Sequence, residues 1–321
     1  MQKILSTLRL KTMFLQPFVF CSNKCQGCYL KSYKTKHKFN NPRIHLDLLQ
    51  EIFHTQKDLM VTDQVTISLN SLFKGKYSSS NHQMLRWFAK AIHIIGTSTL
   101  DNTPEVHLTF HDIITFSKYT QYIKKHRPNL FNDYINFMKK VTVVSLSSIS
   151  ITDNTFYRRA AQIIDKVNWN WLITPDYKIE DDIEYVREIL EVVNSAYMIL
   201  YKNPLKQEQD SNSIPNYINT YKYLEKNLEP RLLQKINTDR CLFHACDYHK
   251  SGFGCSANIN LTHIWPNGRP TGCPYNSSGV IKTSVVDYLQ TIYLIRGQRN
   301  RWEFDKCQLP KLYQEVIKCL N

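Results

Sequence analysis

Apolar, β-branched or aromatic runs alternate with amphipathic stretches along most of this chain. Six runs read as strands: MFLQPFVF (13–20), VTISL (65–69), EVHLTF (105–110), VTVVSL (141–146), WNWLIT (169–174) and AYMIL (196–200). Segments near 45–60, 82–96, 115–139, 153–167 and 181–193 carry apolar residues at helical spacing. Leu46, Leu49 and Phe53 share one face of the first of them. Asp153 and Asp181 are candidate N-caps, because a short side-chain oxygen can accept from a free helix N–H. Strand–helix alternation of this kind predicts an α/β fold, a parallel sheet covered by helices. Residues 203–216 are polar and bracketed by prolines, which predicts a linker or loop, and a helix is expected over 217–228. From Cys241 the chain becomes rich in cysteine, glycine and asparagine. The expected divisions are therefore 1–205, a linker and helix over 206–240, and a small domain over 241–321.

The remaining bounds are compositional. With 321 residues, 42% of them hydrophobic, the chain can bury a sizeable core. No apolar stretch is long enough to span a membrane. Near the start, Arg9 and Lys11 interrupt the apolar residues and no small-residue cleavage site follows, so no secretion signal is expected. Nine cysteines without an export signal predict thiols or metal ligands in a reducing cytoplasm, and an odd count fits a disulfide framework poorly. The net charge is +14, and residues 1–60 hold ten Lys/Arg against three Asp/Glu. Such a basic stretch is either a solubilising surface or a mouth for an anionic ligand. An acidic run at Asp176, Glu180, Asp181, Asp182, Glu184, Glu188 and Glu191 follows helical spacing and reads as a solvated face.

Cys21, Cys25 and Cys28 stand at i, i+4 and i+7 in the run Cys-Ser-Asn-Lys-Cys-Gln-Gly-Cys-Tyr. One loop can offer three thiolates to one metal centre but not a fourth. Iron–sulfur clusters are normally held by four cysteines, so three leave one iron open. The alternative is zinc, which prefers four ligands in closed structural sites, with His37 as the nearest completing residue.

The spacing and the trailing Tyr29 resemble the signature of the radical SAM enzymes. The resemblance implies a catalytic [4Fe–4S] cluster on Cys21, Cys25 and Cys28. It also implies S-adenosylmethionine on the open iron, reductive cleavage to a 5′-deoxyadenosyl radical, and hydrogen abstraction from a substrate. It implies a partial (β/α)6 TIM-like barrel, here followed by a small C-terminal cysteine-rich α+β domain. Barrel chemistry sits on loops at the carboxyl ends of the strands. The cysteine loop, directly after the first predicted strand, meets that rule. Tyr29 would lie against the adenine. Where many members carry Gly-Gly-Glu-Pro after the second strand, this chain has Asn70-Ser71-Leu72, which can hydrogen-bond an ammonium but supplies no carboxylate. Ser145, Ser147 and Ser148 at the fourth strand's end and Asn170 on the fifth are the other candidate cofactor contacts. His111 and Asp112, ending the third, are candidates for substrate.

The segment from Cys255 to Cys273 is the second cysteine feature. Asn258 to Trp265 alternates polar and apolar like a half-buried strand, and Pro266-Asn267-Gly268 is a turn signal. A hairpin turning there is expected to bring Cys255 and Cys273 together. With Gly268 four intervening residues before Cys273, the stretch resembles the twitch and SPASM extensions. These imply a second [4Fe–4S] cluster, with Cys307 favoured downstream over Cys319. Cys241 and Cys246 lie upstream instead, so a set of Cys241, Cys246, Cys255 and Cys273 stays open. So does a structural zinc joined by His244 or His249.

The expected substrate is a peptide or protein, with a reducing donor such as flavodoxin or ferredoxin, and no membrane partner. No N-terminal peptide-recruitment domain is expected, since the first strand lies within the first twenty residues. The alternatives are nucleotide or RNA modification, supported by the charge, and a non-catalytic zinc or iron–sulfur binding module.

Overall fold

The computed structural model describes residues 10–19, 21, 41–55, 62–69, 79–101, 103–110, 113–148, 155–162, 164–201, 212–239 and 261–271. They fall into two compact units. The described part of the first runs to Thr142 and resumes at Leu261; that of the second runs from Val143 to Asp239.

In the first unit, strand β1 (Leu10–Leu15) is followed by helix α1 (Arg43–Gln50), which continues as one wider turn over Glu51–Thr55. Strand β2 (Thr62–Leu69), helix α2 (Ser79–Gly96), strand β3 (Glu105–Phe110), and helices α3 (Ile113–His126) and α4 (Phe131–Lys140) complete the run. β1 pairs parallel with β2, and β2 with β3. The expected helix over 115–139 is two helices. Pro128 has no N–H to give an α-helical bond, and a single tight turn over Pro128–Leu130 separates them. β1 lies earlier than the apolar run suggested: Gln16 still donates its N–H to Ile264, but Pro17 cannot continue the ladder. On α1 the buried residues are Ile44, His45, Leu48 and Leu49, followed by Ile52 and Phe53, while Leu46 is half-exposed at the margin.

In the second unit, strand β4 (Val141–Ser148, entering the unit at Val143), helix α5 (Thr155–Ala161), strand β5 (Val167–Ile173), helix α6 (Ile183–Val192) and strand β6 (Ser195–Leu200) alternate. Helix α7 (Ser213–Asn227), the short α8 (Pro230–Leu233) and strand β7 (Ile236–Asn237) follow. Pairing from β4 to β7 is parallel throughout. α7 begins four residues before the expected start. Asp181 is not the N-cap of α6: a tight turn over Ile179–Asp181 shifts the helix, Asp182 takes the cap position, and no side chain caps the helix. Asp153 lies outside the described residues. The acidic run is the solvated face expected, with Glu184 paired to Arg187 and Glu191 to Arg231.

The C-terminal hairpin forms as its turn chemistry predicts. Strand β8 (Leu261–Ile264) pairs antiparallel with β9 (Pro270–Thr271), and Gly268 at the turn has φ 84°, a region that favours glycine. The sequence does not announce its neighbour. β8 runs parallel to β1, with Phe14 opposite His263 and Leu15 opposite Ile264, so the hairpin belongs to the first unit's sheet. Asn41 N–H donates to Pro266 O at 2.7 Å, and His45 Nε2 lies 3.0 Å from Trp265 O. His263 stacks on Phe14 with centroids 5.9 Å apart and meets Trp265 edge-on at 4.9 Å.

Burial pushes the pKa values of His45 and His263 down to about 3 and that of His107 down to about 4. The unfolded chain takes up these protons near the ordinary 6.5. Stability is therefore full above about pH 6.5 and is lost as pH falls toward 3. At pH 5 this linkage costs about 2 kcal/mol for each fully buried histidine. Melting curves at pH 7.5 and 5 are expected to show a lower midpoint at pH 5. Equal midpoints would contradict neutral, buried imidazoles.

Candidate functional site

Strand side chains alternate between two faces, and here the two faces differ in chemistry. In the first unit Met13, Leu15, Val65, Ile67, Leu69, Val106, Leu108 and Phe110 are buried. Phe110, the last residue of β3, packs on Tyr119 of α3. The alternate positions carry Thr12, Phe14, Gln64, Thr66, Ser68, Glu105, His107 and Thr109, of which only Thr66 is fully buried. They join across strands: Thr12 Oγ1 donates to Gln64 Oε1 at 3.1 Å, and Gln64 Nε2 lies 3.1 Å from His107 Nδ1. Nothing flagged this ladder beforehand, because the apolar run that marked β2 began one residue after Gln64.

The second unit repeats the arrangement. Val144, Leu146, Trp169, Trp171, Ala196 and Met198 are buried on one face, where Tyr157 of α5 meets Trp169 edge-on. The other face carries Ser145, Ser147, Asn168 and Asn170, with Ser145 paired to Asn168 and Ser147 to Asn170 in register. Asn170 Nδ2 donates to Ser147 Oγ at 3.3 Å, and Ser195 Oγ donates to Asn168 Oδ1 at 2.8 Å. Three expected contact residues, Ser145, Ser147 and Asn170, thus share one polar surface. Ser145 is 2% exposed, while Ser147 and Asn170 are half-exposed. Ser148 ends β4.

Cys21 follows the carboxyl end of β1. The approach is fixed by Gln16, whose Nε2 donates to Phe18 O at 3.0 Å, and by Phe18, whose ring meets Trp87 edge-on at 5.9 Å. The Cys21 thiol is half-exposed and in no disulfide. Burial first, and the Cys21 sulfur second, hold the Tyr119 phenol protonated far above its usual range. Its hydroxyl is buried without a hydrogen-bond partner. A half-exposed thiol in no disulfide suits a ligand of a sulfur-ligated centre. On an amphipathic helix Tyr119 reads as ordinary core, so spacing gave no signal for it.

The other expected ligands and contacts lie outside the described residues: Cys25, Cys28, Tyr29, Asn70, Ser71, His111, Asp112, Cys241, Cys246, Cys255, Cys273, Cys307 and Cys319. Among the described residues no three His, Cys, Asp or Glu gather as a metal site, and no helix is long and apolar enough to cross a membrane. The hairpin's arms are unequal. Cys255 precedes β8 by six residues, whereas Cys273 follows β9 by two.

No protein-family model and no curated protein matches the sequence. Solved structures do. SuiB from Streptococcus suis bound to its precursor peptide SuiA aligns with a TM-score of 0.56 and 15% identity, over 98% of this chain and 75% of SuiB. SuiB bound to S-adenosylmethionine aligns with a TM-score of 0.53 and 13% identity, over 98% of this chain and 74% of SuiB. At these identities the likeness is one of fold, and it agrees with the α/β class expected from the strand–helix alternation and with the partial TIM-like barrel that the resemblance implies. In fold this chain resembles SuiB, and its early cysteine spacing resembles the radical SAM signature.

Proposed function

We propose that this protein is a radical SAM enzyme acting on a peptide or protein. The observation that carries the reading is a three-cysteine motif whose first thiol, Cys21, stands free after the carboxyl end of the first parallel strand. Cys21, Cys25 and Cys28 would hold a [4Fe–4S] cluster. When bound and reduced, such a cluster supplies the electron that cleaves S-adenosylmethionine to a 5′-deoxyadenosyl radical. The chain's own residues bind and orient. Ser145, Ser147 and Asn170 offer hydroxyl and amide groups from one sheet face, suited to a ribose or an amino-acid head group. Tyr29 would cover the adenine, and Asn70 and Ser71 would meet the ammonium in place of a carboxylate. Cys255, Cys273 and Cys307, with Cys241 and Cys246 as the rival ligands, would hold a second cluster. Electrons would come from a flavodoxin or ferredoxin in the cytoplasm. The peptide reading is supported by the fold shared with SuiB, which has been crystallised with its precursor peptide.

The net charge of +14 favours one rival substrate, RNA. Phosphate contacts would make RNA affinity fall steeply with salt.

Anaerobic reconstitution tests the proposal. The protein is expected to take up about four or about eight irons per chain and, once reduced, to release 5′-deoxyadenosine from S-adenosylmethionine. Stoichiometric zinc with no cleavage would replace this reading with a binding module.

A further inference from the structure

Four large apolar side chains stand exposed among the described residues: Phe131, Ile135, Tyr185 and Tyr197. The first three fall on two helix faces of opposite charge. Phe131 and Ile135, one turn apart on α4, are 38% and 40% exposed. The corner leading into α4 is exposed from Lys124 to Asn129 and carries Lys124, Lys125 and Arg127, and Lys139 extends the exposed stripe one turn beyond Ile135. From Ile113 to Lys140 the one carboxylate is Asp133, which meets His93. On α6 and the turn before it, Asp181, Glu184, Glu188 and Glu191 recur at helical spacing, all exposed, and Tyr185, 47% exposed, lies within that stripe. Residues 176–188 hold six Asp/Glu against Lys178 and Arg187. The face stays net negative with Arg187 on Glu184 and Arg231 on Glu191.

We propose that the basic corner of α3 and α4 on one copy of this chain receives the acidic face of α6 on a second copy, with Phe131 and Ile135 packing against Tyr185. Exposed apolar groups gain by leaving water, and the charges around them select the partner and fix its register. An RNA or an anionic lipid surface would engage the basic corner alone, leaving the acidic stripe and Tyr185 without a role. A second copy uses both. The net charge of +14 repels whole copies at a distance. At physiological salt, charges more than about 8 Å apart are largely screened, so the facing residues decide the contact. The inference does not depend on the cluster chemistry proposed above.

The full chain would be kept reduced, so that its nine cysteines cannot cross-link copies. Sedimentation velocity would follow it over a concentration series reaching about 0.5 mM, enough to reveal a contact of about millimolar strength. At about 0.1 M salt the average mass is expected to rise above the 37.9 kDa of one chain, and at about 1 M, where the screening length is about 3 Å, to fall back toward it. Two charge-reversed variants identify the faces. Lys124→Glu/Lys125→Glu turns the basic corner acidic, and Asp181→Lys/Glu188→Lys turns the acidic face basic. Each alone is expected to stay monomeric, and an equal mixture of the two to associate, because unlike faces then meet only between copies. Phe131→Ser/Ile135→Ser, with every charge kept, should weaken association as well. All six side chains are exposed, so the variants should melt close to the parent. A parent that stays at one chain's mass throughout overturns the inference. So does association that both charge variants retain, or a mixture that behaves as two monomers. A mass increase abolished by ribonuclease also overturns it, and assigns the basic corner to RNA.

Discussion

Cys21→Ala is expected to remove about four irons per chain from the anaerobically reconstituted protein, and to reduce 5′-deoxyadenosine release to background. Two thiolates cannot hold a four-iron cluster that already has only three. The same change should leave folding almost untouched. The side chain is half-exposed and lies in no disulfide, and substitutions at such positions shift stability by about 0.5 kcal/mol or less. That contrast separates chemistry from structure. A second cluster on the later cysteines would survive, so the variant should fall from about eight irons to about four, or from about four to none. An unchanged iron count at an unchanged melting point would refute the assignment of Cys21 as a ligand.

Gly96→Ala is expected to act in the opposite sense, collapsing stability without touching any candidate ligand. Gly96 ends α2, where the helix crosses α4 at backbone contact. A Cβ added there would lie 2.1 Å from the carbonyl oxygen of Asp133 and 2.8 Å from its carbon. Backbone cannot turn aside as a long side chain can. The helices must separate, and the bonds between them must stretch. These include the His93 Nδ1–Asp133 Oδ2 contact at 2.7 Å and the Lys140 Nζ bond to Ser98 O at 3.0 Å. The His93 pair is solvent-exposed and worth little by itself. Most of the loss comes from packing between the two helices. We expect about 3 kcal/mol or more, at or beyond the upper end of ordinary overpacking. Denaturant unfolding of the purified variant measures it, and a change within about 0.5 kcal/mol would show that the crossing is looser than drawn.

Local pattern revealed the elements well where local forces decide them. β3 spans the same residues in sequence and structure because Glu105 to Phe110 alternates cleanly between faces. The hairpin turn was legible because Asn267-Gly268 tolerates the required backbone. The division of the 115–139 helix at Pro128 is masked in the sequence by apolar spacing that continues on both sides of it. What stayed hidden depends on distant partners. Nothing in Leu261–Ile264 says that β1 is its neighbour, because pairing is a property of the assembled sheet. Among the candidate contacts, Ser145, Ser147 and Asn170 could be read because polar residues at alternate strand positions must share a face.

The alliance of β8 with β1 also bears on how the protein comes into being. The strand preceding Cys21 is made first, yet one of its two lateral partners emerges from the ribosome some 250 residues later. Until then Leu10–Leu15 has a bare border of unsatisfied amides and carbonyls, a template on which other nascent chains can stick. Truncation before Leu261 leaves that border permanently open, so shortened forms should accumulate as insoluble material even though every described helix of the first unit has been synthesised.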